Sequence, residues 1–399
     1  MNRFTQDRGK PGSSTRSPAL TSARSHSHTS ARSFARRRAA IVGTGAIAGA
    51  HAEALRAHRD RVEIVAVQDL AVDRAEAFAE TWQIPAVHAS IDELLATGID
   101  LVHLCTPPAT HLPIALQCLK AGVNVLVEKP PTLSLAELDQ LAEAAADSGA
   151  HLATVFQHRF GSGAAHLRAL IETGTLGRPL LATCHTLWFR DDAYFQVPWR
   201  GRWSTEGGGP TMGHGIHQFD LLLSVLGGWE RITAVAARRS RPVETEDVSM
   251  ALVEFTDGTV ASVVNSVISP RQTSSLRFDF ERATVELDHL YGYTDADWTL
   301  TPAPGHESIT WSPPPTPAAS PGSVAFLARS GHADQLAVLL DALDAGAEPP
   351  VSIGDTRRTM EFVAALYASA ATGQQVRRGE ITDGHPFYRA MNGDRWTFA

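Results

Sequence analysis

The sequence predicts an α/β chain, with an N-terminal doubly wound parallel sheet followed by a C-terminal α+β domain on an antiparallel sheet. Three observations carry this. From Ala39 to about residue 157, short apolar runs alternate with amphipathic stretches of helical period. A glycine-rich turn stands directly after the first of those runs. Beyond about residue 158 the apolar runs follow one another without helices between them.

The first half divides into strands over Ala40–Thr44, Glu63–Gln68, Leu101–Cys105, Val123–Val127 and Leu152–Phe156. They are continuous Val, Ile and Leu runs, as parallel strands buried on both faces require. Helices are expected near Gly49–His58, Asp73–Thr81, Ile91–Ala96, His111–Ala121 and Ser134–Ser148. Ser134 with Glu137 has capping-box spacing, and Gly122 after Lys120-Ala121 marks a helix end. The second half offers strands at Pro179–Phe189, Arg231–Ala237, Val248–Phe255, Thr259–Val267 and Leu276–Leu287, with Asp257-Gly258 as a tight hairpin. Consecutive strands of this kind imply antiparallel pairing. Seven prolines make Thr301–Gly322 an irregular loop, and helices follow around His332–Ala345 and Asp355–Ala371. The expected organisation is a basic, disordered extension over 1–38, a strand–helix domain over 39–157, and an α+β domain over 158–399.

Composition narrows the classes. The chain has 399 residues, 43% hydrophobic and 20% charged, which suits a globular protein of two domains. Its net charge of −8 argues against nucleic acid as the main ligand. Cys105, Cys118 and Cys184 share no metal or disulfide spacing, which fits a reducing, cytoplasmic setting. No apolar run reaches membrane-spanning length, so no membrane association is expected. Residues 1–38 hold nine Lys or Arg and one acid, so the other 361 residues sum to −16. Arg36-Arg37-Arg38 imitates a twin-arginine export signal. The apolar residues behind it are nevertheless the first strand, and cleavage there would destroy the glycine turn.

Gly43-Thr44-Gly45-Ala46-Ile47-Ala48 reads G-x-G-x-x-A between a strand and a helix. Gly43 permits the tight turn, Gly45 lets a pyrophosphate approach the backbone, and Ala48 allows close helix–strand packing. The helix N-terminus, with Ala46 and Ile47, offers N–H donors to phosphate. Asp69 closes the second strand, where a carboxylate accepts the ribose hydroxyls and repels a 2′-phosphate, favouring NAD over NADP. Thr106-Pro107, with His111 beyond, and Glu128-Lys129-Pro130 close two further strands at the crevice end of such a sheet. Lys129 beside a cationic nicotinamide ring would have a lowered pKa and could relay a proton. In Gly207-Gly208-Gly209-Pro210-Thr211-Met212-Gly213-His214-Gly215-Ile216-His217-Gln218-Phe219-Asp220, the glycines would let the backbone pass close to a ligand. His214, His217 and Asp220 share or nearly share one helix face. His217 could transfer a proton with Asp220 setting its tautomer. A satisfied buried histidine and a metal pair on His214 and His217 are the competing readings, and no metal is assigned.

These motifs, in this order and spacing, resemble the glucose–fructose oxidoreductase / inositol dehydrogenase (Gfo/Idh/MocA) family over about residues 39–380. The resemblance implies a Rossmann domain followed by a large open antiparallel sheet that mediates homodimers or homotetramers. It places Lys129 and His217 at the family's catalytic lysine and histidine, and Gly43, Gly45, Ala46, Ile47, Asp69, Thr106, Pro107, His111, Glu128 and Lys129 at the cofactor. Arg159, Tyr194, Trp199, Arg200, Trp203, His214 and His217 fall where members line the substrate cleft. Many members carry an aspartate four residues before the histidine, where this chain has Gly213, and His214 could take part of that role. The implied activity is NAD(P)-dependent hydride transfer between nicotinamide and a secondary alcohol or ketone of a sugar, inositol or related polyol. The rivals are a redox-neutral NAD-dependent glycosidase on the same fold and a non-enzymatic NAD- or sugar-sensing regulator.

Overall fold

A computed structural model describes residues 36–313, 331–394 and 396–398. The expected disorder of the tail up to residue 35, and residues 314–322 of the proline-rich loop, lie outside the described residues.

Six strands form the first sheet: β1 (Arg37–Val42), β2 (Val62–Gln68), β3 (Ala86–His88), β4 (Leu101–Leu104), β5 (Asn124–Val127) and β6 (Leu152–Thr154). They pair in parallel in the order β3-β2-β1-β4-β5-β6. Helices α1 (Ala48–Ala57), α2 (Val72–Trp82), α3 (Ile91–Leu95), α4 (His111–Lys120) and α5 (Leu135–Ser148) connect them. Ser134 caps α5 by accepting from the Glu137 N–H at 3.2 Å, while the Glu137 carboxylate accepts from the Leu133 N–H. Strand order reverses between β1 and β4, so the chain ends at Gly43, Thr106 and Lys129 open onto one crevice.

The start of β1 corrects the expected boundary of the extension. Arg37 and Arg38 are strand residues, paired with Val62 and Glu63. The Arg37 guanidinium meets Asp344 at 2.9 Å, and Asp100 accepts from the Arg38 N–H at 2.7 Å. Their charged ends find polar partners at the rim while their backbones join the ladder.

The second sheet uses β7 (Pro179–Phe189), β8 (Trp229–Ala237), β9 (Val248–Phe255), β10 (Val260–Ser266), β11 (Ile268–Phe280), β12 (Ala283–His289), β13 (Trp298–Pro302) and β14 (Val376–Arg377). Their order is β13-β12-β11-β7-β10-β9-β8-β14. Among the described residues every pairing is antiparallel, as expected, except β7 with β10, which is parallel. Helices intervene between β7 and the later strands, so the chain re-enters beside β7 in the same direction. The run expected over Leu276–Leu287 is instead two strands, because the chain turns at Glu281-Arg282.

Helices α6 (Ser162–Glu172), α7 (Asp192–Phe195), α8 (Trp203–Glu206), α9 (Ile216–Leu226), α10 (His332–Ala345), α11 (Ile353–Thr372) and α12 (Pro386–Arg389) complete the described fold. Phe219 and Leu222 of α9 and Phe362 and Leu366 of α11 pack with Trp229, Val253 and Phe278 of the sheet into one apolar core. Helix α10 returns Leu336, Leu339 and Leu340 to the first sheet, against Ala52 and Leu55 of α1. Among the described residues no helix is long and apolar enough to cross a membrane.

Candidate active site

The glycine turn has the form a phosphate needs. Gly43 has φ +87°, and a Cβ there would lie 2.8 Å from Thr106 Cγ2. Both the left-handed backbone and the close approach of the next strand end require glycine. Gly45 and Ala46 are exposed, and no side chain caps α1. The Ala48 and Ala50 N–H groups donate to the Gly45 and Ile47 carbonyls, so the turn ahead of them, Gly45–Ile47, is the part that faces an anion.

Asp69 is buried at the end of β2 and accepts from the Thr44 N–H at 2.8 Å and the Thr44 hydroxyl at 2.9 Å. Arg74, which the sequence does not mark, donates to the same carboxylate through Nη2 at 2.6 Å. Burial alone would raise the Asp69 pKa, but the hydrogen bonds from Arg74, Ala71 and Thr44 outweigh it and hold the carboxyl at about 2. The group is thus an anion throughout the working range.

Lys129 reaches from the end of β5 toward the segment leading into α9, where its Nζ donates to the Gly213 carbonyl at 2.8 Å. Residues Thr211–Gly215 form a π-helical turn continuous with α9, which carries His217. The wider turn exposes the carbonyl that holds the lysine. Burial lowers the Lys129 pKa, and the Arg200 and Arg190 charges lower it further against the opposing Glu128 and Glu206. His217 is buried, and neither ring nitrogen has a hydrogen-bond partner among the described residues. Burial, then the Lys129 charge, drive its pKa well below 6.5, so the ring is neutral at pH 7.

The wall around this pair is aromatic and imidazole-rich. His158 lies 5.0 Å from the His217 ring, and Tyr291 lies 5.8 Å from it on another side. His214 meets the Tyr194 hydroxyl at 3.2 Å and packs edge-on to Trp188. The Arg200 guanidinium donates to Tyr194 and stacks over its ring at 3.9 Å and over Trp199 at 4.3 Å. Sequence reasoning misses His158, Trp188, Arg190, Glu206 and Tyr291. Of these, His158 alone leaves a signal, since it follows the last strand of the parallel sheet at its crevice end. Glu206 accepts from the Gly201 N–H, and burial pushes its carboxyl up to about 7.

The structure places several expected site residues elsewhere. Arg159 is spent on Asp220, which accepts from its Nε and Nη2 at 2.6 Å each. Asp220 also accepts from Thr359, so it does not set the tautomer of His217. The bidentate pair is the strongest partner either group can find in a buried helix packing. Both His111 ring nitrogens face backbone carbonyls, of Pro130 at 2.9 Å and Thr106 at 2.8 Å. With its pKa lowered by burial, the imidazole carries one N–H, so His111 donates to one of these carbonyls and is buried between the two strand-end loops instead of presenting a group to a ligand. Trp203 packs on Tyr367 and donates to the Glu244 carbonyl. Gly208 and Gly209 make room for Tyr367 and Glu246, whose atoms lie within 2.2 Å of where a Cβ would stand. Their smallness serves this packing, not passage beside a ligand.

Glu128 turns inward as well. Its Oε1 lies 3.0 Å from His51 Nε2 on α1 and 3.2 Å from His332 Nε2 on α10. His51 Nδ1 in turn meets His103 Nδ1 at 2.8 Å. Burial would raise the Glu128 pKa, but the His332 and His51 hydrogen bonds hold it well below the usual range. These three residues are the one group of metal-ligand type found among the described residues, and imidazole N–H donors satisfy the carboxylate there.

Comparison with known proteins agrees with the fold. A family model described as "Oxidoreductase family, NAD-binding Rossmann fold" matches residues 37–156, and the "GFO/IDH/MocA C-terminal domain" matches residues 164–286. The chain is 26% identical over 366 residues to the D-glucoside 3-dehydrogenase of Escherichia coli (strain K12), covering 85% of this chain and 97% of the relative. It is 28% identical over 242 residues to the myo-inositol 2-dehydrogenase of Thermotoga maritima, covering 57% and 68%. The WlbA dehydrogenase of Bordetella pertussis, solved with NADH and UDP-GlcNAcA, shares the fold. Its TM-score is 0.73 at 24% identity, over 86% of this chain and 99% of that one.

Proposed function

The chain belongs to the Gfo/Idh/MocA family of NAD-binding oxidoreductases, and from that premise we propose that it interconverts a secondary alcohol and a ketone on a sugar, inositol or related polyol. The observation that carries this reading is the approach of Lys129, from the parallel sheet, to the helical segment bearing His217. Its Nζ bonds the Gly213 carbonyl, and its charge depresses the His217 pKa. The relatives named for D-glucoside and myo-inositol support the substrate class.

NAD fits the residues present. The Gly43–Ala48 turn, with Gly45, Ala46 and Ile47, would hold the pyrophosphate, and Asp69 the ribose. Thr106, Pro107 and Lys129 would border the nicotinamide end. NAD supplies the hydride acceptor when bound, and the chain supplies orientation and proton movement. In the oxidising direction Lys129, its amine form favoured by burial and by two arginines, accepts the proton of the substrate hydroxyl. His217 presents a neutral imidazole to the same oxygen. Trp188, Tyr194 and Trp199, with Arg190 and Arg200 against their rings, exclude water from the substrate.

A boundary near residue 157 between the two domains, a cytoplasmic location and a homodimer or homotetramer complete the proposal. Three buried free cysteines support a reducing compartment. Val235, Met250, Leu252 and Val260 lie exposed on β8, β9 and β10, and that apolar sheet face supports self-association.

The test is reduction of NAD+ at the NADH absorbance with a panel of sugars and inositols, with products identified. The expected result is stoichiometric NADH and ketone. Bond cleavage without net NADH would establish the redox-neutral alternative instead.

A further inference from the structure

The polar groups facing the Lys129 amine do not balance in charge. Arg190 and Arg200 both act on Lys129 and on His214. Arg190 lies 5.3 Å from the Tyr194 ring and 4.8 Å from Trp188. Its guanidinium donates to the Phe189 carbonyl at 2.9 Å and to Gln272 Oε1 at 3.3 Å, and among the described residues no carboxylate pairs with it. Arg200 lies on the other contact of the same tyrosine, with Glu206 at 3.5 Å as its acidic neighbour.

On the acidic side, Glu128 is already held by His51 and His332. Glu206 is half-neutralised near pH 7 by its burial. His158, His214 and His217 are pushed toward their neutral forms by burial. At Gly213, whose carbonyl holds the lysine amine, a Cβ would meet nothing within 4 Å among the described residues. Two guanidinium groups therefore stand beside the Lys129 amine with Glu206, 3.5 Å from Arg200, as the one carboxylate paired with them among the described residues. Cations withdrawn from water call for an anion, and a guanidinium fork matches a carboxylate or phosphate oxygen pair.

We propose that the substrate is an anionic polyol, carrying a carboxylate or a phosphate ester that Arg190 and Arg200 seat while Lys129 faces the reacting hydroxyl. This rests on the polyol-oxidising reading above. Both guanidinium groups lie against the Tyr194 ring, and the Cβ position of Gly213 leaves room for the oxyanion or its ring.

The experiment uses the full chain with saturating NAD+. Myo-inositol and D-glucose are the neutral arm, D-glucuronate the carboxylate arm and glucose 6-phosphate the phosphate arm. Turnover is read as NADH, and binding by calorimetry on the NADH-loaded protein. One anionic arm is expected to exceed D-glucose by at least about tenfold in binding or kcat/KM, and which arm does so identifies the oxyanion. Arg190→Gln and Arg200→Gln are each expected to weaken that anion about 10- to 100-fold, the worth of a charge-assisted hydrogen bond. NAD+ affinity should stay within about threefold; turnover of the neutral arm should fall too, because both arginines favour the Lys129 amine, so the anion site is read from the ratio of anionic to neutral binding. Arg200→Lys, which keeps charge but not the fork, should fall between, and melting temperatures check folding. Arginine-dependent anion binding without any NADH would uphold the anion site and overturn the oxidation reading. Neither anion binding better than D-glucose, or the arginine variants weakening neutral and anionic arms alike, would overturn the anion site.

Discussion

Replacing Lys129 by Met removes the proton acceptor while keeping most of the side-chain volume. Two effects oppose each other in stability. The Gly213 carbonyl loses its 2.8 Å donor, at a cost of about 1–3 kcal/mol if it stays dry. A desolvated ammonium also disappears, which offsets part of that. Folding stability should therefore change little, whereas turnover should fall about 10²- to 10⁴-fold, or about 3–5 kcal/mol of barrier. NAD+ affinity should hold within about twofold, because the phosphate donors lie on the Gly43–Ala48 turn. Two secondary signatures follow from the electrostatics. The Lys129 charge depresses both His214 and His217, so the variant should raise both imidazole pKa values, visible by NMR titration of the histidines. The combined Lys129→Met, His217→Ala protein should lose less turnover than the two penalties multiplied, as groups acting as a unit do. The assay is steady-state NADH formation with melting temperature and NAD+ calorimetry beside it. Full turnover in the Lys129→Met protein on its true substrate would refute the proton-transfer reasoning.

Asp69→Ala should weaken NAD+ and narrow the gap to NADP+ in calorimetry, with Arg74 freed to meet a 2′-phosphate; tighter NADP+ than NAD+ binding by the unaltered protein would contradict this. Deleting residues 1–35 should leave the melting temperature unchanged, whereas deleting 1–38 should lower it by several degrees. The longer deletion removes the first two residues of β1 with their Asp344 and Asp100 contacts. The pKa values of His51, His103, His111, His158, His214 and His217 are all lowered from 6.5 by burial. The unfolded chain therefore binds more protons than the native one below that value. Stability should be fully present above pH 6.5 and fall as pH drops, by up to about 1.4 kcal/mol per pH unit for each histidine. Urea midpoints that stay level between pH 7 and 5 would refute it.

The parts of the fold written in contiguous residues are legible in the sequence by itself. Strand–helix alternation, the Gly43–Ala48 turn, Asp69 at the end of β2 and Lys129 at the end of β5 each depend on a few neighbouring positions. Local sterics and hydrophobic period decide them: only glycine fits φ +87° under Thr106 at Gly43, and only continuous apolar runs suit strands covered on both faces. Pairings between distant residues are decided by the tertiary structure alone. Arg159 with Asp220 spans 61 positions and Glu128 with His332 spans 204. Nothing local distinguishes these groups from free site residues, so Arg159, Glu128 and His111 read as ligand-facing when their hydrogen bonds are spent inside the fold. The parallel entry of β10 beside β7 is equally hidden, because strand neighbours follow from how helices and sheet pack, not from strand composition. The imbalance of charge around Lys129 belongs to the same class. Arg190, Arg200, Glu206 and the histidines at 158, 214 and 217 acquire their meaning only where burial removes water and sets their protonation, and burial is a property of the assembled core.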